Sequence, residues 1–231
     1  MNLTQNRALE WASAELQPLV LGILVLMAVV RFLVLLRPKW QVLASAPSDD
    51  RFDKPLKRLI HTIRIAFLQV KLFKDAKAGW MHAFIFWGFL VLLVRAAEFF
   101  VIGFFPSVEM GLGRFDTLYG LFKDLFVVLV TLAASYALYR RLVLRPERLT
   151  LTAEGVVILV LILAIMISDA LFDAAWLARN PQAVSAGIFI GPLLAPLLGT
   201  GSAGLHNLAY WMHVTCILYF LTLLPGSKHF H

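Results

Sequence analysis

The 231-residue chain has a single cysteine, Cys216, and only 15% of its residues are charged. One thiol excludes an internal disulfide, and it excludes an iron–sulfur cluster held by this chain alone, because such a cluster takes about four cysteine ligands. The sequence has no G-x-G-x-x-G, no Walker A loop, no H-E-x-x-H and no Ser-His-Asp arrangement. Nucleotide-site, zinc-protease and hydrolase readings therefore have no residues to rest on. No internal repeat or low-complexity tract is present, so neither a solenoid nor an inverted-repeat transporter has support. The first apolar run is preceded by no basic stretch and no small-residue cleavage site, so it reads as a retained helix rather than a removable signal.

Apolar residues make up 60% of the chain and its mean hydropathy is +0.80, against about 45–50% apolar in soluble domains. The expected fold is an all-α integral membrane protein, one bundle domain over residues 1–231. Its five spans are expected at about 17–36, 79–105, 118–139, 151–177 and 205–224, each near the roughly 20 residues a bilayer requires. Lys and Arg concentrate in the first and third connections, while the second and fourth offer only Arg114 and Arg179. The positive-inside rule then places the N-terminus outside and the C-terminus in the cytoplasm. Nucleic-acid binding would need a solvated basic domain, which is missing. Within the first connection, Leu59, Ile60, Ile63, Ala66, Phe67 and Val70 recur at helical spacing among basic residues, predicting a cytoplasmic amphipathic helix at the interface. Ile188 to Leu198 is too short to span and is interrupted by Gly191, Pro192 and Pro196. It reads as an outer re-entrant or interfacial cap.

His206, His213 and His231 are separated by 7 and 18 residues, both close to whole turns of a continuous helix. On that helix they share one face, and His229 lies about 160° away from His213. In an apolar segment an imidazole must be satisfied by a partner, an ion or a cofactor, and neutral imidazole ligates iron well. Three in register favour a metal or haem over unligated histidines that only hydrogen-bond between helices. His82 opens the second span at the depth of His231, and two imidazoles facing each other from different helices suit a six-coordinate b-type haem. His213 would then lie about 27 Å further along, near the opposite side.

Several charges fall inside spans. Arg95 and Glu98 are three residues apart, which reads first as an ion pair and alternatively makes Arg95 an anchor for a haem propionate. Lys123 and Asp124, with Asp169 and Asp173 on one face of the fourth span, either relay protons or contact a quinone head group, or snorkel to the interface. Snorkelling is the expectation by a small margin.

The stretch Met212-His213 through Leu224-Pro225-Gly226-Ser227-Lys228-His229-Phe230-His231 resembles the last span of the nitrate reductase gamma subunit family of dihaem cytochromes b. Met81-His82, the five-span topology and Arg140-Arg141 with Pro146 match as well. The ending is more similar still to the membrane domain of heterodisulfide-reductase-like iron–sulfur oxidoreductases of the electron-transfer-flavoprotein:menaquinone oxidoreductase type. The resemblance implies that His82 and His231 ligate a cytoplasmic haem and that His213 is one ligand of an outer haem. The gamma subunit's second histidine of span two is Leu92 here. His206, on the same face as His213, is no simple substitute, so one haem b or a second with unusual coordination is expected.

The resulting expectation is a cytochrome b domain of a bacterial or archaeal cytoplasmic membrane, an oxidoreductase component inactive without its iron–sulfur partner. It would pass electrons from an iron–sulfur protein or domain on the cytoplasmic face, fed by electron transfer flavoprotein, to menaquinone or another quinone. The alternatives are a haem-free membrane anchor for a soluble redox complex and a proton-coupled transporter.

Overall fold

In a computed structural model, the described residues are 16–47, 53–106, 108, 111–146, 152–199 and 203–227. Seven α-helices appear among them: α1 (Leu16–Ala44), α2 (Pro55–Thr62), α3 (Ala76–Phe104), α4 (Asp116–Tyr139), α5 (Ala153–Arg179), α6 (Ile190–Leu198) and α7 (Ala203–Leu223). Among the described residues no strand occurs. Five helical stretches are long and apolar enough to cross a membrane, those built on α1, α3, α4, α5 and α7. By length and apolarity this is a multi-pass membrane protein.

Local chemistry sets the helix limits. Asp75 caps α3 by accepting from the Ala78 N–H at 3.2 Å, and Thr152 caps α5 by accepting from Gly155 at 3.3 Å; each satisfies one of the donors a helix start leaves unpaired. The first span outruns its expected end at Leu36, because α1 continues through Pro38 to Ala44. Proline removes one hydrogen bond there without ending the helix. At the other extreme, α7 stops at Leu223, and Leu224–Gly226 tightens into a 3-10 turn around Pro225. Proline is common just past a helix end because it cannot continue the ladder. This overturns the single stripe of three histidines: the continuous helix that the 18-residue interval assumes ends before His231, which lies outside the described residues. His213 sits near the middle of α7.

Between helices in lipid, packing is governed by close fit and small residues rather than by a hydrophobic drive. Leu21, Phe99, Ile102, Phe172, Ala209, Tyr210, Val214 and Leu218 join α1, α3, α5 and α7 in one buried cluster. Ala134, Ala137 and Leu159 close the contact of α4 with α5. A methyl group on Gly103 would sit 1.9 Å from the Tyr210 hydroxyl oxygen and 2.4 Å from Leu21 Cδ2, so α1, α3 and α7 approach there because that side chain is missing. Neighbouring spans run antiparallel: Gln17, at the start of α1, lies 3.4 Å from the Gly103 carbonyl at the end of α3.

Two shorter elements occupy opposite ends. The predicted amphipathic segment is present as far as Phe67, as α2 with a π-helical turn at Ile63–Phe67, while Val70 lies beyond its end; Leu56, Leu59, Ile60, Ile63, Phe67 and Leu68 are all exposed. The short segment after α5 forms α6, packed against α5 where Gly191 faces Leu177 and Asp173.

Candidate functional site

The α6 end of the bundle gathers the intramembrane charges. Arg95 of α3 donates from all three of its nitrogens: Nε to Asp169 at 2.7 Å, one terminal nitrogen to Glu98 at 2.7 Å and the other to Asp173 at 2.6 Å. Lys123 of α4 lies 2.7 Å from Asp173 Oδ2, 2.7 Å from Asp124 Oδ1 and 3.6 Å from Asp169 Oδ2. Asp169 and Asp173, one turn apart on α5, thus bridge both cations. Asp124 Oδ2 also accepts from the backbone N–H groups of Phe189 and Ile190, at 2.5 and 2.7 Å. It caps α6 from another helix, placing a negative charge at the positive end of that helix.

The ion pair of Arg95 with Glu98 stands as expected. Snorkelling by Lys123, Asp124, Asp169 and Asp173 is overturned, since all four are buried, Asp124 at 0% exposure. The reason lies in pairing: buried charge is tolerable only where it is paired and hydrogen-bonded, and three helices supply both signs at one level. Asp169 Oδ2 makes no hydrogen bond, and its separation from Lys123 exceeds hydrogen-bond length.

The α7 histidines lie beside this network. His213 stacks on Phe99 with ring centroids 4.0 Å apart, and its Nδ1 is 3.1 Å from the Ile165 carbonyl and 3.0 Å from Ser168 Oγ. His206 stacks on Phe172 at 4.1 Å, and its Nδ1 is 3.1 Å from that residue's carbonyl. Phe99 and Phe172 are themselves 4.7 Å apart, so the four rings form a continuous series. Arg95 lies over both phenyl rings, at 4.8 and 5.6 Å. A carbonyl can only accept, so each imidazole in its neutral form carries its proton on Nδ1 and its lone pair on Nε2.

His82 is separate from these groups, near the start of α3 at the α2 end. It is exposed, and its Nδ1 is 3.1 Å from the Gln69 amide oxygen. His231, its expected partner, lies outside the described residues. Leu92 packs with Val127, Val130 and Met166 in an apolar cluster. Among the described residues, no group of three or more His, Cys, Asp and Glu is arranged to hold a metal ion. That bears on protein-only metal centres, whereas a bis-histidine haem takes two side chains.

The chain is similar to two curated oxidoreductases. One is the "Probable iron-sulfur-binding oxidoreductase FadF" of Bacillus subtilis, 29% identical over 187 residues, which cover 79% of this chain and 26% of that protein. The other is the "EtfAB:quinone oxidoreductase" of Syntrophomonas wolfei, 29% identical over 199 residues, covering 78% of this chain and 27% of that protein. The chain therefore spans about a quarter of the length of the curated relatives it matches. No family model matches it. No solved structure matches it. Both relatives are named as oxidoreductases.

Sequence reasoning singled out every charged member of the network but missed three of its neighbours and the partner of His82. Phe99, Phe172 and Ser168 look like ordinary span residues, and Gln69 sits in a loop. None of them carried a signal, and the neighbours of Gln69 from Ala66 to Leu72 include no glycine, proline, asparagine, aspartate or serine.

Proposed function

We propose that the chain is the membrane domain of a quinone-linked electron-transfer oxidoreductase, taking electrons from an iron–sulfur partner fed by electron transfer flavoprotein and delivering them to menaquinone. The observation that carries this reading is the similarity to two oxidoreductases, one named as iron–sulfur-binding and one as acting on EtfAB and quinone. It is joined by the lack of any cysteine except Cys216, which requires clusters to reside on another unit.

The donor set fits haem b. His82, His206 and His213 each present Nδ1 to an oxygen acceptor, the arrangement that fixes ring orientation and leaves the lone pair on the other nitrogen. In this reading His82 with His231 would hold one haem and His213 would serve a second, with His206 as the residue in reserve. Bound there, haem supplies one-electron chemistry at a potential set by its ligands and surroundings. The chain's own residues do the rest. Ser168 and the Ile165 carbonyl orient His213, Phe99 covers its ring face, and the buried network keeps Arg95 fixed over the aromatic series. Lys123 and Asp169, whose Oδ2 makes no hydrogen bond and lies 3.6 Å from the Lys123 ammonium, are the proposed contacts for a quinone head group beneath α6. The proposed orientation puts the α2 end in the cytoplasm, where basic loops concentrate.

A second reading has its own support. Both α7 histidines hydrogen-bond to protein oxygens and stack on phenylalanine, which satisfies them without a ligand and suits a haem-free anchor. Reduced-minus-oxidised spectra and a pyridine haemochrome assay on the full-length protein separate the two. A low-spin b band that is lost in His82→Ala and reduced in His213→Ala supports the electron-transfer reading. No haem in protein from haem-replete cells leaves the anchor.

A further inference from the structure

We infer that Gln69 is a positioning residue for His82, accepting the Nδ1 proton so that Nε2 keeps the lone pair a haem iron requires. The inference deepens the proposed function and rests on its haem reading.

The residue stands out on three counts. It is 4% exposed although it lies in a connection whose neighbours Leu68 and Val70 are exposed. Its φ is +51°, in the left-handed region where a side chain is disfavoured and glycine is the usual occupant. Its amide oxygen lies 3.1 Å from His82 Nδ1. A glutamine held in that conformation, with its side chain turned inward onto an imidazole, is what a turn built to deliver the side chain would need. Strained backbone of this kind persists where surrounding contacts over-determine it.

Those contacts are present on both sides of Gln69. Before it, the Trp87 indole N–H donates to the Phe67 carbonyl at 2.8 Å, tying the end of the amphipathic segment to α3. After it, the Leu72 N–H donates to the Gln69 carbonyl at 2.9 Å. The Leu72 carbonyl then lies 2.6 Å from where a methyl on Gly79 would project. The turn is thereby fixed against the first turns of α3, the same turns that carry His82.

The chemistry has two possible senses. An amide can accept from Nδ1–H through its oxygen or donate to bare Nδ1 through its nitrogen. Only the first leaves the Nε2 lone pair for a metal, and an acceptor on the distal N–H also raises the basicity of a ligating histidine. A more basic imidazole stabilises the ferric state and lowers the reduction potential.

The test uses the full-length protein in nanodiscs with Gln69→Glu, Gln69→Leu and Gly79→Ala. Glutamate can only accept, so it should retain haem and lower the midpoint potential of the haem that His82→Ala abolishes. Leucine should raise that potential and weaken haem retention by about 10–100-fold. Gly79→Ala, which displaces the turn, should follow leucine. Nitrogen-15 spectra of the His82 ring in haem-free protein give an independent readout, with the proton expected on Nδ1. A proton on Nε2, or a bound haem whose potential and retention are the same in wild type, glutamate and leucine variants, overturns the positioning role. Absence of any haem from the wild type instead overturns the proposed function, and the ring spectrum still decides the part played by Gln69.

Discussion

At the α6 end of the bundle, two cations and four carboxylates from three helices are buried within contact of one another. At the α2 end, Lys57, Arg58 and Arg64 are exposed beside an equally exposed row of leucine, isoleucine and phenylalanine, and the polar group taken inside is the uncharged Gln69. The contrast teaches where charge is structural. Buried charge must find partners, and removal of one leaves the others stranded at high cost. Exposed pairs such as Arg58 with Asp53 are screened by solvent and contribute little. The α6 end is thus expected to tolerate substitution poorly and the α2 end well, and each of the following substitutions tests that difference.

Arg95→Leu carries the largest expected effect. It strands Glu98, Asp169 and Asp173 without their shared guanidinium, a loss of about 3–5 kcal/mol by the measure of broken buried pairs. Size-exclusion profiles and thermal unfolding in detergent should show little folded protein; a monodisperse variant of unchanged stability would remove the contrast between the two ends. Gly103→Val comes next, since its side chain would overlap Tyr210 and Leu21. Overpacking of this kind costs about 1–3 kcal/mol, read as a lowered unfolding temperature.

Asp124→Ala should be milder and more local. Loss of an N-cap costs about 0.5–2 kcal/mol, and the consequence should appear as faster amide exchange in residues 189–198 while α3 keeps its protection. Equal loosening of α3 would mean that Asp124 serves the charge network more than α6. The smallest effect belongs to Arg58→Ala, which breaks an exposed pair and should change stability by less than about 1 kcal/mol. A larger loss would show that the α2 end is stiffer than its exposure implies, and would sharpen the case that this segment holds Gln69 in place.

Much of the architecture was legible in the residues. Five apolar runs become five spanning-length helices, and the amphipathic period of the first connection becomes α2, because both depend on composition and spacing along a single helix. The histidine stripe failed at its distal end for a local reason, the helix stop at Leu224-Pro225-Gly226. Snorkelling failed because pairing between helices is invisible in a linear sequence: Lys123 near one helix start could not be seen to meet Asp173 near another helix end.

What the sequence by itself determined is therefore the number of spans, the absence of any cluster-binding capacity in this chain, and the inventory of titratable groups placed inside apolar segments. The tertiary structure decided which of those groups meet. Antiparallel packing brings the end of α3, the start of α4 and the end of α5 to one level, so six charged groups pair with one another there while His82 is left at the opposite end with Gln69. Composition and periodicity fix each helix alone, but electrostatic satisfaction in a low-dielectric interior belongs to the pairs that packing creates.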